Sequence, residues 1–218
     1  MFRDQAWLTL GVWAVTFVAL IFALVERQWE LAFVSLATLI MAIAPVVIVR
    51  WAGVVVPRSF LAAVVTFVFA TLFLGEVYDF YERFWWWDLL LHGGSAVGFG
   101  LVGFAFVFMM FQGDRFAAPH LSVAFFAFCF AVTVGVIWEL FEFGMDVLFG
   151  LNMQKSGLLD TMFDLIVDVI GAMLGAGAGY LFLKGREKSG LPGVIGEFVE
   201  RNPRLFGKAR KAPPTNKM

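Results

Sequence analysis

The chain is poor in charge. Asp, Glu, Lys and Arg make up 15% of its 218 residues, against about 25% in an ordinary soluble domain. That excludes a conventional water-facing surface over most of the chain. Cysteine is nearly missing. Cys129 stands alone, so neither an intramolecular disulfide nor a thiolate metal cluster can form. It lies in an apolar run, where a lone cysteine reads as a small buried side chain. Strand-like alternation of apolar and polar residues is absent from the apolar runs, which argues against a closed β-barrel. No basic surface suggests nucleic acid as a partner.

What remains is apolar: 61% of the residues are hydrophobic. The apolar stretches match a bilayer core about 30 Å thick, and in lipid only helices or closed barrels satisfy the backbone. The expected fold class is all-α, a polytopic six-helix transmembrane bundle. Its spans fall at about 7–25, 29–49, 59–77, 89–111, 121–145 and 160–183. Together these make a transmembrane domain over 1–183, followed by a basic tail over 184–218. The first run is longer than a signal-peptide core and no small-residue cleavage site follows, so it reads as a retained span. Only Glu26, Arg27 and Gln28 separate the first two runs, which implies a tight helical hairpin. Pro57 and Pro119 mark helix starts, while Pro45 is expected to kink its span. Gly171, Gly175 and Gly179, and likewise Gly94 and Gly98, are spaced as small-residue packing faces.

Basic residues set the expected orientation. The tail carries Lys184, Arg186, Lys188, Arg201, Arg204, Lys208, Arg210, Lys211 and Lys217 against only three acids, and the second loop carries Arg50 and Arg58. Both belong in the cytoplasm, which places both termini there. Leu191, Val194, Ile195 and Phe198 suit a short interfacial helix, and the basic tail suits anionic lipid.

The acids are distributed unevenly. Ten of the 17 lie at the outward ends of spans three to six or in their loops: Glu76, Asp79, Glu82, Asp88, Glu139, Glu142, Asp146, Asp160, Asp164 and Asp168. The same region holds just two strongly basic residues, Arg83 and Lys155, together with His92. Asp160, Asp164 and Asp168 share a helix face at four-residue spacing. Asp88 and His92 are one turn apart, and Glu139, Glu142 and Asp146 form another stripe. Asp168 falls about 12 Å further along its helix than Asp160. An ionisable side chain at that depth is a functional candidate by default. Asp79, Glu82 and Asp146 equally suit solvated helix ends, and Asp160 suits an N-cap. The aromatic run from Tyr78 to Trp87 reads as an interfacial belt.

These motifs carry a resemblance. Asp88-x-x-x-His92 with Gly94, Trp138-Glu139-x-x-Glu142, and Asp160-Thr161-x-x-Asp164 with Asp168 and Gly171-Ala172 look like three motifs of the bacterial inner-membrane family typified by YjdF. A more distant likeness is to VanZ-type proteins. The resemblance covers spans three to six and implies a bacterial inner-membrane location, the topology and the site residues. It supplies no reaction.

Clustered carboxylates with one imidazole and no thiolate suit hard divalent cations, so the expected cofactor is Mg²⁺, Mn²⁺ or Ca²⁺. A zinc site would more often show additional His or Cys ligands. The candidate ligands are Asp88, His92, Glu139, Glu142, Asp164 and Asp168, with Glu76 and Asp160 at the edge. His92 and Asp88 are also the catalytic candidates. The first reading is a cation site acting on a lipid-linked or head-group substrate. A proton- or cation-coupled small transporter and a non-catalytic envelope module for binding or resistance are the alternatives. The transporter reading lacks paired repeats and broken midplane helices.

Overall fold

Long apolar runs interrupted by short polar turns dictate helices, and helices are what form. The computed structural model describes residues 6–115, 117–186 and 189–207. Of the basic tail residues, Lys188, Lys208, Arg210, Lys211 and Lys217 lie outside the described residues. Six helices are long and apolar enough to cross a membrane, and no strand occurs among the described residues. The chain forms two compact units, Met1–Trp87 and Asp88–Met218.

In the first unit, α1 (Trp7–Val25) and α2 (Trp29–Trp51) make the expected tight hairpin. Both pack on α3 (Arg58–Val68). The unit is apolar outside and partly polar within. Thr9, Thr16, Ser35 and Thr38 are fully buried, while Phe33, Ile40 and Ile48 are exposed. Such a surface suits lipid, because a soluble monomer rarely exposes large contiguous apolar patches. The hydroxyls of Thr16 and Thr38 donate to the carbonyls of Val12 and Val34, at 2.8 Å each. Pro45 lies within α2, where it removes one backbone donor. Trp13 Nε1 donates to the Ala42 carbonyl at 3.3 Å, close to that disturbed turn. Val12, Trp13, Ala42, Val46 and Val65 form the core.

Beyond Val68 the third span continues as π-helical turns over Phe69–Val77. Nothing in the sequence spacing announces this wider winding. Gly75 sits inside it against the Tyr81 ring, leaving no room for a β-carbon. Asp79 follows in the left-handed region at φ 55, and α4 (Phe80–Arg83) is a single turn. In the aromatic run, Trp85 is 83% exposed while Trp87 is buried, with the Phe80 ring edge-on at 4.9 Å.

In the second unit, α5 (Trp87–Met110), α6 (His120–Phe149) and α7 (Leu158–Leu183) are the long helices. Gly150 at φ 67 closes α6. That end is four residues later than the sequence reading placed it, because Val147, Leu148 and Phe149 prolong the helix before a residue that favours the left-handed turn appears. The Gly171, Gly175 and Gly179 face is closely packed. Gly171 meets the Gly93 carbonyl, and Gly179 meets the Phe104 ring. A β-carbon on Gly100 would stand 2.9 Å from Gly175 Cα. The partner face on α5 is therefore Gly93, Ala96 and Gly100, and the expectation for Gly94 and Gly98 is corrected. Those two glycines have open space where a β-carbon would go. One residue turns a helix by about 100°, so Gly93 and Gly100, seven residues apart, share a face that Gly94 and Gly98 do not.

The tail contributes α8 (Gly190–Arg201), which packs on α7. Its Ile195 side chain is buried. Phe198, Phe206, Phe108 and Phe182 form a chain of ring contacts with centroids 5.6–5.7 Å apart. The Arg115 guanidinium lies 4.6 Å from the Phe182 ring centre and donates to the Phe182 carbonyl at 3.3 Å.

Candidate functional site

His92 is the hub of the second unit's polar interior. It lies one turn into α5 from Asp88, so both side chains project from one face. Its Nε2 stands 3.9 Å from Asp88 Oδ1. Its Nδ1 stands 3.5 Å from Asp168 Oδ2 on α7 and 3.8 Å from Glu139 Oε1 on α6. Three helices therefore deliver carboxylates to one imidazole. Asp164, one turn before Asp168, completes the group. One ligand atom each from Asp88, His92 and Asp164 lie within 4.8 Å of one another.

Burial makes this arrangement costly. Asp164 and Asp168 are each 1% exposed, Glu139 is 4% and His92 is 7%. Asp88 is the more open member, its side chain 26% exposed. Both Glu139 oxygens, Asp164 Oδ1 and Asp160 Oδ2 are buried and accept no hydrogen bond. Thr161 on α7 stands beside Glu139. A buried carboxylate without partners is among the most unfavourable groups a protein can hold. One imidazole, even protonated, and the Lys155 ammonium near Asp88 and Asp160 offset two negative charges among several. The remainder calls for protons or for a bound cation.

Glu142 reaches a different partner, since Trp138 Nε1 donates to its Oε1 at 2.8 Å. Asp146 serves the loop after α6: its carboxylate accepts from the backbone N–H groups of Met153 at 2.7 Å and Gln154 at 2.9 Å. Gln154 Nε2 then donates to Thr161 Oγ1 at 2.6 Å, tying that loop to α7. Asp79 faces Arg83 at 3.9 Å in an exposed pair. Glu76 is exposed and belongs to the first unit, in its π-helical segment.

Sequence reasoning missed Gly135. It lies on α6, one turn before Glu139, and a β-carbon there would collide with the Asp168 carboxylate, standing 2.9 Å from Asp168 Cγ. Its hydrogen is what lets the Asp168 carboxylate fit between α6 and α7. The signal was available, since Gly135 is the one glycine between Leu121 and Phe143.

These features define the class: a polytopic α-helical membrane protein with a buried carboxylate–imidazole cluster among three of its helices. The chain belongs to the family described as predicted membrane protein (DUF2238), whose model matches residues 7–185. A Thermotoga maritima protein, described as an uncharacterized protein, is 36% identical over 105 residues. That match covers 48% of this chain and 53% of the relative, so the chain spans about half the length of the relative it matches. No solved structure matches the chain.

Proposed function

We propose that this protein sits in the bacterial inner membrane and holds a divalent cation in an outward-facing acidic site. There it acts on a lipid-linked or head-group substrate that carries phosphate. The observation that carries this reading is the set of buried carboxylate oxygens on Asp164 and Glu139 that accept no hydrogen bond. They surround His92 and Asp88, whose donor atoms lie close to that of Asp164. A divalent cation would neutralise two charges at once and accept several oxygen ligands. The outward placement rests on the basic residues of the second loop and the tail. Asp88, the least buried ligand, is the group best placed beside a substrate. A bound cation there would polarise a phosphoryl oxygen and lower the proton affinity of a bound water.

Melting of the detergent-purified protein tests the reading. After stripping with chelator, addition of Mg²⁺, Mn²⁺ or Ca²⁺ should raise the melting temperature, because a ligand bound only by the folded state stabilises it. Asp164→Asn should abolish the gain while the chelated protein still melts cooperatively. No gain with any divalent ion would favour protonated carboxylates and with them the proton-coupled transporter reading.

A further inference from the structure

The imidazole at the centre of the cluster bears on which cations the site takes. We infer that the site selects a first-row transition metal over Mg²⁺ and Ca²⁺. His92 Nε2 is its nitrogen ligand, and Asp168 orients the ring from the opposite side through Nδ1. The inference rests on the cation reading above and names the metal class and the positioning residue.

The two ring nitrogens face different surroundings. Nδ1 points at Asp168 Oδ2, 3.5 Å away and at the outer limit of a hydrogen bond, with Glu139 Oε1 at 3.8 Å. Asp168 has almost no access to water, and Gly135 leaves its carboxylate a niche that any larger residue would fill. A carboxylate held there takes the proton on Nδ1. The lone pair is then on Nε2, the nitrogen 3.9 Å from Asp88 Oδ1. Metal-bound histidines are commonly arranged in this order, with carboxylate, imidazole and metal in line. Asp164 supplies the third ligand, and its Oδ1 has no other partner. Bonds of about 2.0–2.2 Å allow at most about 4.4 Å between two ligand atoms. The 4.8 Å envelope of Asp88, His92 and Asp164 therefore needs only a slight inward movement.

Two carboxylates and one imidazole make a mixed donor set. Ca²⁺ and Mg²⁺ take oxygen ligands, whereas imidazole favours the later first-row ions Fe²⁺, Co²⁺, Ni²⁺ and Zn²⁺. Three protein ligands also leave coordination positions open for water or substrate oxygen.

Titration calorimetry on the tag-free, chelator-stripped, full-length protein in detergent tests this with the ions themselves. Co²⁺, Ni²⁺ and Zn²⁺ should each bind at least ten times more tightly than Mg²⁺ or Ca²⁺. His92→Gln should erase that preference while weak Mg²⁺ and Ca²⁺ binding persists at the carboxylates. Asp168→Asn should weaken Co²⁺ binding about 10- to 100-fold and alter the visible absorption of the Co²⁺-loaded protein, a readout that a purely structural role would leave unmoved. Mg²⁺ or Ca²⁺ binding as tightly as the transition metals would overturn the inference and leave the cation reading standing. Asp168→Asn with unchanged Co²⁺ affinity and spectrum would overturn the positioning role. Binding of no ion at all would overturn both readings. The wild-type selectivity series decides the metal class even where a variant fails to fold.

Discussion

Replacing Gly135 with alanine adds one methyl group, and two opposing effects follow. Alanine is the better helix former by about 1 kcal/mol in a helix interior, so the change should stabilise wherever space allows. At Gly135 space does not allow it. The new carbon would overlap the Asp168 carboxylate, and Asp168 Cβ would lie 3.3 Å away. Overpacking a closed site costs about 1–3 kcal/mol. Asp168 cannot swing freely, being 1% exposed and facing His92. The clash should outweigh the propensity gain, leaving a net loss of up to about 2 kcal/mol, and the melting temperature should fall by up to about 8 °C at about 2–4 °C per kcal/mol. In an Asp168→Ala background the clashing oxygen and carbon are gone, so the same substitution should become neutral or stabilising. That change of sign is a coupling energy of at least about 1 kcal/mol between Gly135 and Asp168. Gly144, on the same helix with open space around it, is the control, and Gly144→Ala should not destabilise. Melting curves of the four-member cycle in one detergent measure all of this. A loss from Gly135→Ala that is equal in both backgrounds would refute the steric argument.

Other expectations are independent of the cycle. Trp138→Phe removes the donor to Glu142 Oε1 and should cost about 1–3 kcal/mol, since a buried carboxyl oxygen loses its hydrogen bond. Full recovery in the Trp138→Phe, Glu142→Leu double variant would confirm the pair, and no loss in the single variant would count against it. Asp146→Ala should free the loop that Asp146 holds through Met153 and Gln154. Its expected signature is faster amide exchange or protease cleavage within 150–157, with the helices still protected. For topology, reporters active only outside the cytoplasm should work when fused after Lys155 and fail after Gln112 or at the C-terminus. An extracytoplasmic C-terminus would reverse the orientation assigned from the basic residues.

The spans were legible because their signal is long and one-dimensional. A run such as Trp29–Trp51 allows little besides a membrane helix. The cluster was legible for a related reason: Asp164 and Asp168 are anomalous in an apolar helix wherever their partners lie. Features that depend on rotation were not legible. Gly94 and Gly98 have the same spacing as a true packing face, and only the partner helix tells them from Gly93 and Gly100. Asp146 looked equivalent to Glu139 and Glu142 on its stripe. It differs because α6 ends nearby at Gly150 and the chain turns back so that Met153 and Gln154 present their N–H groups to it. The π-helical turns at Phe69–Val77 leave no mark in hydropathy at all.

A divalent cation shared by Asp88, His92 and Asp164, as proposed, would be visible in a metal-soaked crystal. Crystals of the full-length protein soaked in Mn²⁺ and measured near the manganese edge test it most directly. One anomalous peak should appear among those three side chains, within bonding distance of at least two of them, and should be lost in Asp164→Asn. An ordered cluster with no anomalous peak, under soaking conditions that saturate other Mn²⁺ sites in the crystal, would contradict it.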